Sequence, residues 1–80
     1  MLEKLKDCPH TIGLKQSLKA VRQNRVLIAF IAADADEKVI LGFRELCSKM
    51  NVRIEYAESM KVLGAASGID IGASVACVLK

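Results

Sequence analysis

Three cations recur at helical spacing in the first third of the chain. Lys15, Lys19 and Arg22 stand at i, i+4 and i+7, so on a helix they share one face. Gln16 lies three residues before Lys19, which brings an amide to the two ammonium groups near the first turn. Gly13 precedes them as the end of an extended piece, and Leu14, Leu18 and Val21 fall on the other side, where they can be buried. Lysines at a helix start add to the anion affinity that the free N–H groups and the dipole already give it. The chemistry this permits is the docking of a phosphate or of the electronegative edge of a base. A solvated helix face is often basic too, and charge alone favours that plainer reading.

Two more groups bear on chemistry. Asp34-Ala35-Asp36 follows a long apolar run, and in open α/β sheets the C-terminal ends of strands are where ligands bind. Two carboxylates there could hold a magnesium ion. Capping of the next helix is the simpler role and is the one favoured, because Asp is among the best N-cap residues and acids suit a first turn. The segment Ala57 to Gly68 joins a strand to a helix rich in small residues, in which Gly64, Ala65 and Ala66 permit close approach to another backbone. Met60 gains little from a short exposed turn, and beside Lys61 it suits a surface that meets a base or a partner. Catalysis finds little support. The single histidine, His10, follows Pro9 and has no evident nucleophile or orienting acid at hand. Cys8 and His10 could supply two metal ligands, but no second pair completes a site. Neither a cofactor nor a metal is expected.

Eighty residues allow one core, so a single domain over 1–80 is expected. With 52% hydrophobic residues the chain can fill that core, which argues against disorder. Phe30, Phe43 and Tyr56 are the only aromatic residues, too few for a platform of rings that stack bases. Residues 1–25 carry six Lys or Arg against Glu3 and Asp7, a balance of +4, whereas residues 26–80 carry six against seven acids, a balance of −1. A basic patch on a nearly neutral body suggests a polyanion docking at one edge. Cys8, Cys47 and Cys77 form no C-x-x-C pair, their number is odd, and Cys47 and Cys77 sit in apolar runs. That pattern fits small core residues in a reducing cytosol. The N-terminus has no signal-peptide core, and the longest apolar run, Val26 to Ala33, is far short of a membrane span. A cytoplasmic location is expected.

These side chains need elements to carry them. Residues 2–8 can form an opening helix that Pro9 stops, residues 11–13 a brief strand, and Leu14 to Gln23 the basic helix, with Asn24 as its stop. Val26 to Ala32 is apolar without alternation and reads as a strand covered on both faces. The next helix presents a stripe of Val39, Phe43, Leu46 and Met50, flanked by Ile40 and Cys47, and Asn51 closes it. Val52 to Tyr56 alternates, as a strand near an edge with one buried face does. Ser59 to Ala66 reads as a short helix with Ser59 as N-cap and Gly68 as its terminating glycine, and Ala73 to Leu79 as a last apolar strand. Such alternation predicts a mainly parallel or mixed sheet with helices on both faces.

Nearly the whole chain resembles a known family, the kink-turn-binding ribosomal and ribonucleoprotein components of archaeal L-seven-Ae, eukaryotic L-thirty and small-nucleolar-RNP type. The likeness is closest to the short bacterial YbxF-type members. Gly13-Leu14-Lys15-Gln16-Ser17-Leu18-Lys19 is similar to the family's Gly-x-Asn/Lys-Glu/Gln-x-x-Lys, Ile31 to Asp36 to its strand-end acidic turn, and Leu63-Gly64-x-Ala66-x-Gly68-Ile69 to its Leu-Gly-x-Ala-x-Gly-Val/Ile. The resemblance implies an α/β fold, a three-layer α/β/α sandwich around a four-stranded mixed sheet. It also implies RNA binding at a kink-turn, a bent helix–bulge–helix with tandem sheared G·A pairs, and a monomer is expected. By position, Lys15, Gln16 and Lys19 should meet the guanines, with the Gly13 backbone close to the RNA and Arg22 a further cation of the RNA-binding surface. Ala57, Glu58, Ser59, Met60 and Lys61 should meet bases extruded from the bulge, with Ile40 beside them, and Asp36 should lie close to the RNA. Archaeal members have Asn and Glu in place of Lys15 and Gln16. A carboxylate can accept from both guanine N1–H and N2–H, whereas an amide offers one acceptor oxygen. The alternative function is a small protein-interaction module of ribosome assembly with weak or secondary RNA binding, for which Glu37, Glu45 and Glu55 offer an acidic side.

Overall fold

The computed structural model describes residues 2–80. The elements run α1 (Lys4–Asp7), β1 (His10–Ile12), α2 (Leu14–Arg22), β2 (Val26–Ala32), α3 (Glu37–Lys49), β3 (Arg53–Ala57), α4 (Met60–Ala66) and β4 (Val75–Leu79). The strands order as β1-β4-β2-β3. β4 is antiparallel to both its neighbours, and β2 is parallel to β3. The sheet is therefore mixed and four-stranded, as expected.

Its two faces follow from the strand period of two. Ala29 and Ile31 of β2 with Val75 and Cys77 of β4 face α2 and α3, where Ala20, Val21, Ile40, Phe43 and Cys47 complete the core. Ile28, Phe30 and Ala32 with Ala76 and Val78 face the other way and meet Leu5 of α1 and Leu63 of α4. β2 is thus covered on both sides, with Leu27 as the exception. Val26 pairs with Leu79 while Ile28 pairs with Val78, so one extra residue bulges from β2, and Leu27 is left 49% exposed.

Three helices end in the same way. Asn24, Asn51 and Gly68 adopt positive φ of 56°, 58° and 87°. Just beyond them, the Arg25, Val52 and Ile69 N–H groups donate back to Ala20, Cys47 and Gly64 carbonyls at 3.0, 2.8 and 3.1 Å. These are the left-handed stops expected of Asn and Gly.

Four expectations need correction. α1 is a single turn, and β4 begins at Val75, because Ala73 is drawn away by a bond from its N–H to the Met60 carbonyl at 3.0 Å. The buried stripe of α3 is Ile40, Phe43 and Cys47. Val39 is 42% exposed, and Leu46 and Met50 are only partly covered. The helix is rotated about one position from the expected phase, since Val39 and Ile40 are both apolar and packing against α2 and the sheet decides between them. β3 does lie at the edge, but its alternation does not bury Tyr56, which is 58% exposed. Among the described residues, no further strand pairs with β3 on the side away from β2.

Candidate nucleic-acid interface

β1 and β2 both run against β4, and β3 runs with β2. Three strands therefore end at the same edge of the sheet, and α2, α3 and α4 all start there. This topology gathers Gly13, Asp36 and Ser59, the residues preceding the three helices, along one side of the molecule.

The three helix starts differ in how their first N–H groups are satisfied. Asp36 accepts from Lys38 N–H at 2.9 Å and Ser59 from Val62 N–H at 3.1 Å, so both are side-chain N-caps. α2 has none, because Gly13 brings no side chain. Gly13 holds φ at 89°, a region where a side chain would be strained, and donates its own N–H to the Val75 carbonyl at 2.9 Å. The start of α2 is thereby left with uncapped N–H groups, flanked by the exposed side chains of Lys15, Gln16 and Lys19. Gln16 turns its amide oxygen back to the Ile12 N–H at 3.4 Å.

A buried polar cluster fixes this turn to the sheet. The hydroxyls of Thr11 and Ser17 lie 2.8 Å apart inside the protein. Cys77 of β4 stands beside them, its thiol pushed up by burial and pulled partly back by the Ser17 and Thr11 hydroxyls. With Ser17 fully buried, the opposite side of α2 has no choice but to face outward.

The second loop, residues 57–61, begins at the end of β3. Ala57 is 1% exposed, and its side chain belongs to the core. Glu58 and Lys61 are exposed, and Met60 is half-buried against the core residues of that face. Met60 is thus not the free apolar contact expected of it. Its N–H is held by the Asp34 carboxylate at 2.7 Å. Asp34 and Asp36 therefore have separate roles, the first reaching across to α4 and the second capping α3.

Two further predicted residues stand elsewhere. Ile40 is 2% exposed and packs in the core under α2 and α3, so its side chain is not presented at this edge. Arg22 is the last residue of α2, eight residues beyond Leu14, or about 12 Å along the helix. There it helps line a groove of about 580 Å³ between α2 and α3, with Leu18, Val39, Gly42 and Lys49. The structure thus brings together Gly13, Lys15, Gln16, Lys19, Asp36, Glu58, Ser59, Met60 and Lys61 at one edge. It leaves Ile40, the Ala57 side chain and Arg22 outside that group.

The sequence reading passed over Ile71. The loop after α4 folds back so that Gly72 lies against Met60, and Ile71 projects beside it, 74% exposed. An isoleucine between Asp70 and Gly72, beyond a helix-ending glycine, was the available signal.

A three-layer α/β/α sandwich whose loops and helix starts form one basic-and-apolar edge is the class these features define. The profile of the Ribosomal protein L7Ae/L30e/S12e/Gadd45 family matches residues 4–80, and the chain belongs to that family. It is 42% identical over 71 residues to an RNA-binding protein of Caldanaerobacter subterraneus subsp. tengcongensis, covering 86% of this chain and 87% of the relative. It is 32% identical over 69 residues to the RNA-binding protein YbxF of Geobacillus stearothermophilus, covering 86% and 84%. Among solved structures, the Giardia lamblia 15.5kD RNA binding protein superposes with a TM-score of 0.90 at 26% identity, over 99% of this chain and 70% of that one. The family and fold expected from the three sequence motifs are the ones found.

Proposed function

We propose that this protein is an RNA-binding module that recognises kink-turns at the edge formed by the starts of α2, α3 and α4. The observation that carries this reading is the uncapped start of α2 beside Lys15, Gln16 and Lys19. An ordinary A-form helix hides guanine edges in a deep, narrow groove, and a kink-turn's sheared G·A pairs expose them. Lysine donates to guanine O6 and N7, and Gly13 lets a backbone approach without a Cβ in the way. The loop with Glu58, Ser59, Met60 and Lys61, together with Ile71, meets the bases extruded from the bulge. The names of the relatives, which are RNA-binding proteins, support the partner class. The chain acts as a single copy and a single domain, without a cofactor or a catalytic step.

A gel shift tests the reading. A kink-turn RNA should bind, and the same RNA with its G·A pairs made Watson–Crick should bind much more weakly. Equal binding to both would overturn it.

The groove between α2 and α3, with partly exposed Val39 and Leu46 in its walls, favours the second reading, a protein-interaction module. The acidic side invoked for that reading is weaker than its sequence suggests, because Glu37 is paired with Arg44 and Glu55 with Arg53. Filter binding against total RNA separates the two: retention of RNA supports the first, and none supports the second.

A further inference from the structure

From the geometry of the 57–61 loop we infer that Asp34 is a positioning residue, which sets the loop and the segment after α4 in the arrangement that receives extruded bases. This rests on the kink-turn reading above. Asp34 is exposed and contributes no cap to its own helix, that role falling to Asp36. Its carboxylate instead spans 26 positions of sequence to accept from the Met60 N–H at 2.7 Å. The same Met60 accepts through its carbonyl from Ala73 N–H at 3.0 Å. A Cβ on Gly72 would come within 3.2 Å of the Met60 Cβ, so this segment lies directly on the loop. One carboxylate therefore holds Met60, and Met60 holds the segment that displays Ile71 at 74% exposure.

Charge makes the assignment discriminating. A carboxylate at an edge that meets phosphates repels them, so on electrostatics alone its removal should tighten RNA binding. A charge-assisted bond to an N–H is stronger than a neutral one, and if its work is to hold the loop, removal should loosen binding. The two roles predict opposite signs.

The test uses the full chain with Asp34→Ala and Asp34→Asn, against a kink-turn RNA and the same RNA with abasic bulge positions. Asp34→Ala should weaken binding of the intact RNA about tenfold, the worth of one hydrogen bond to a charged group, and leave the abasic RNA within about twofold. Asp34→Asn keeps an oxygen acceptor and should stay within about threefold of wild type on both. Tighter binding by both variants would overturn the inference, as would an equal loss on both RNAs. Hydrogen exchange of the Met60 and Ala73 amides supplies a readout independent of RNA. Both should exchange about tenfold faster in Asp34→Ala, and unchanged exchange would also overturn it. Should Asp34→Ala fail to fold, Asp34→Asn decides. Retained Met60 protection with near wild-type affinity supports the inference, and a gain in affinity counts against it. If wild type itself does not prefer the G·A-paired RNA, the kink-turn reading fails, and the exchange data still judge whether Asp34 holds the loop.

Discussion

Gln16 occupies the third position of α2 and spends its one acceptor oxygen on the Ile12 N–H, at the long distance of 3.4 Å. A glutamate there has a second oxygen to offer, so it can keep the Ile12 bond and still accept from a guanine. We expect Gln16→Glu to tighten binding to a kink-turn RNA by about 0.5–1.5 kcal/mol, the net value of one added hydrogen bond. Lys15 and Lys19 on either side screen the added charge from phosphates. Titration of one RNA with both proteins at matched salt measures this, and a clear loss would mean that position 16 faces phosphate. Lys19→Ala should lose about 1–3 kcal/mol of binding, the usual worth of one good base contact. Its melting temperature should barely change, because Lys19 is exposed on the solvent side of α2. Such residues were legible because spacing alone puts them on one face. Thr11 and Ser17 were not, since nothing in a hydroxyl six positions from another says that both will be buried and paired. The Asp34 bond to Met60 was equally hidden, because it spans 26 residues and depends on where two turns come to rest.

Element boundaries were legible wherever a local rule sufficed. Asn24, Asn51 and Gly68 announce the helix ends because few other residues tolerate positive φ, and the uninterrupted apolar run of β2 marks a strand covered on both faces. The rotation of α3 was not, because Val39 and Ile40 offer two apolar phases and tertiary packing chose the second. Ile40, which flanks the expected stripe and is placed beside the RNA by the family resemblance alone, belongs to the core. The small residues of α4 permit a close approach, and at Gly64 the approach is made. A Cβ there would lie 2.0 Å from the Ile71 carbonyl oxygen and 3.2 Å from the Gly72 Cα. Both are backbone atoms, so the helix itself must move. Gly64→Ala should cost about 1–3 kcal/mol or somewhat more in urea denaturation, as overpacking does. Gly42 is the contrast, a helical glycine of α3 with nothing within 4 Å of an added Cβ. Gly42→Ala should stabilise by about 0.5–1 kcal/mol through helix propensity. Equal effects at the two positions would show that α4 is not seated on the Ile71–Gly72 backbone.

At the scale of the whole molecule, the +4 balance of residues 1–25 is split by the fold. Lys15 and Lys19 reach the candidate interface with Lys61, while Arg22 stands exposed at the far end of α2, beside the α2–α3 groove. With about three phosphates neutralised, the logarithm of RNA affinity should fall against the logarithm of salt with a slope of roughly −2 to −3. A slope near zero would place RNA away from this edge. The strand order has a different consequence, one that concerns time. Among the described residues β1 pairs with β4 alone, and β4, which follows the other three strands in sequence, sits between β1 and β2. While the ribosome is still making residues 75–79, the basic helix already exists as sequence but has no β4 to anchor Gly13 through Val75 or to place Cys77 beside Ser17. Its pairings join residues far apart in the chain, which makes such a sheet slow to close. The nascent protein therefore cannot present a finished edge to any RNA, including the one being translated, until residues 75–79 have emerged and slotted between β1 and β2.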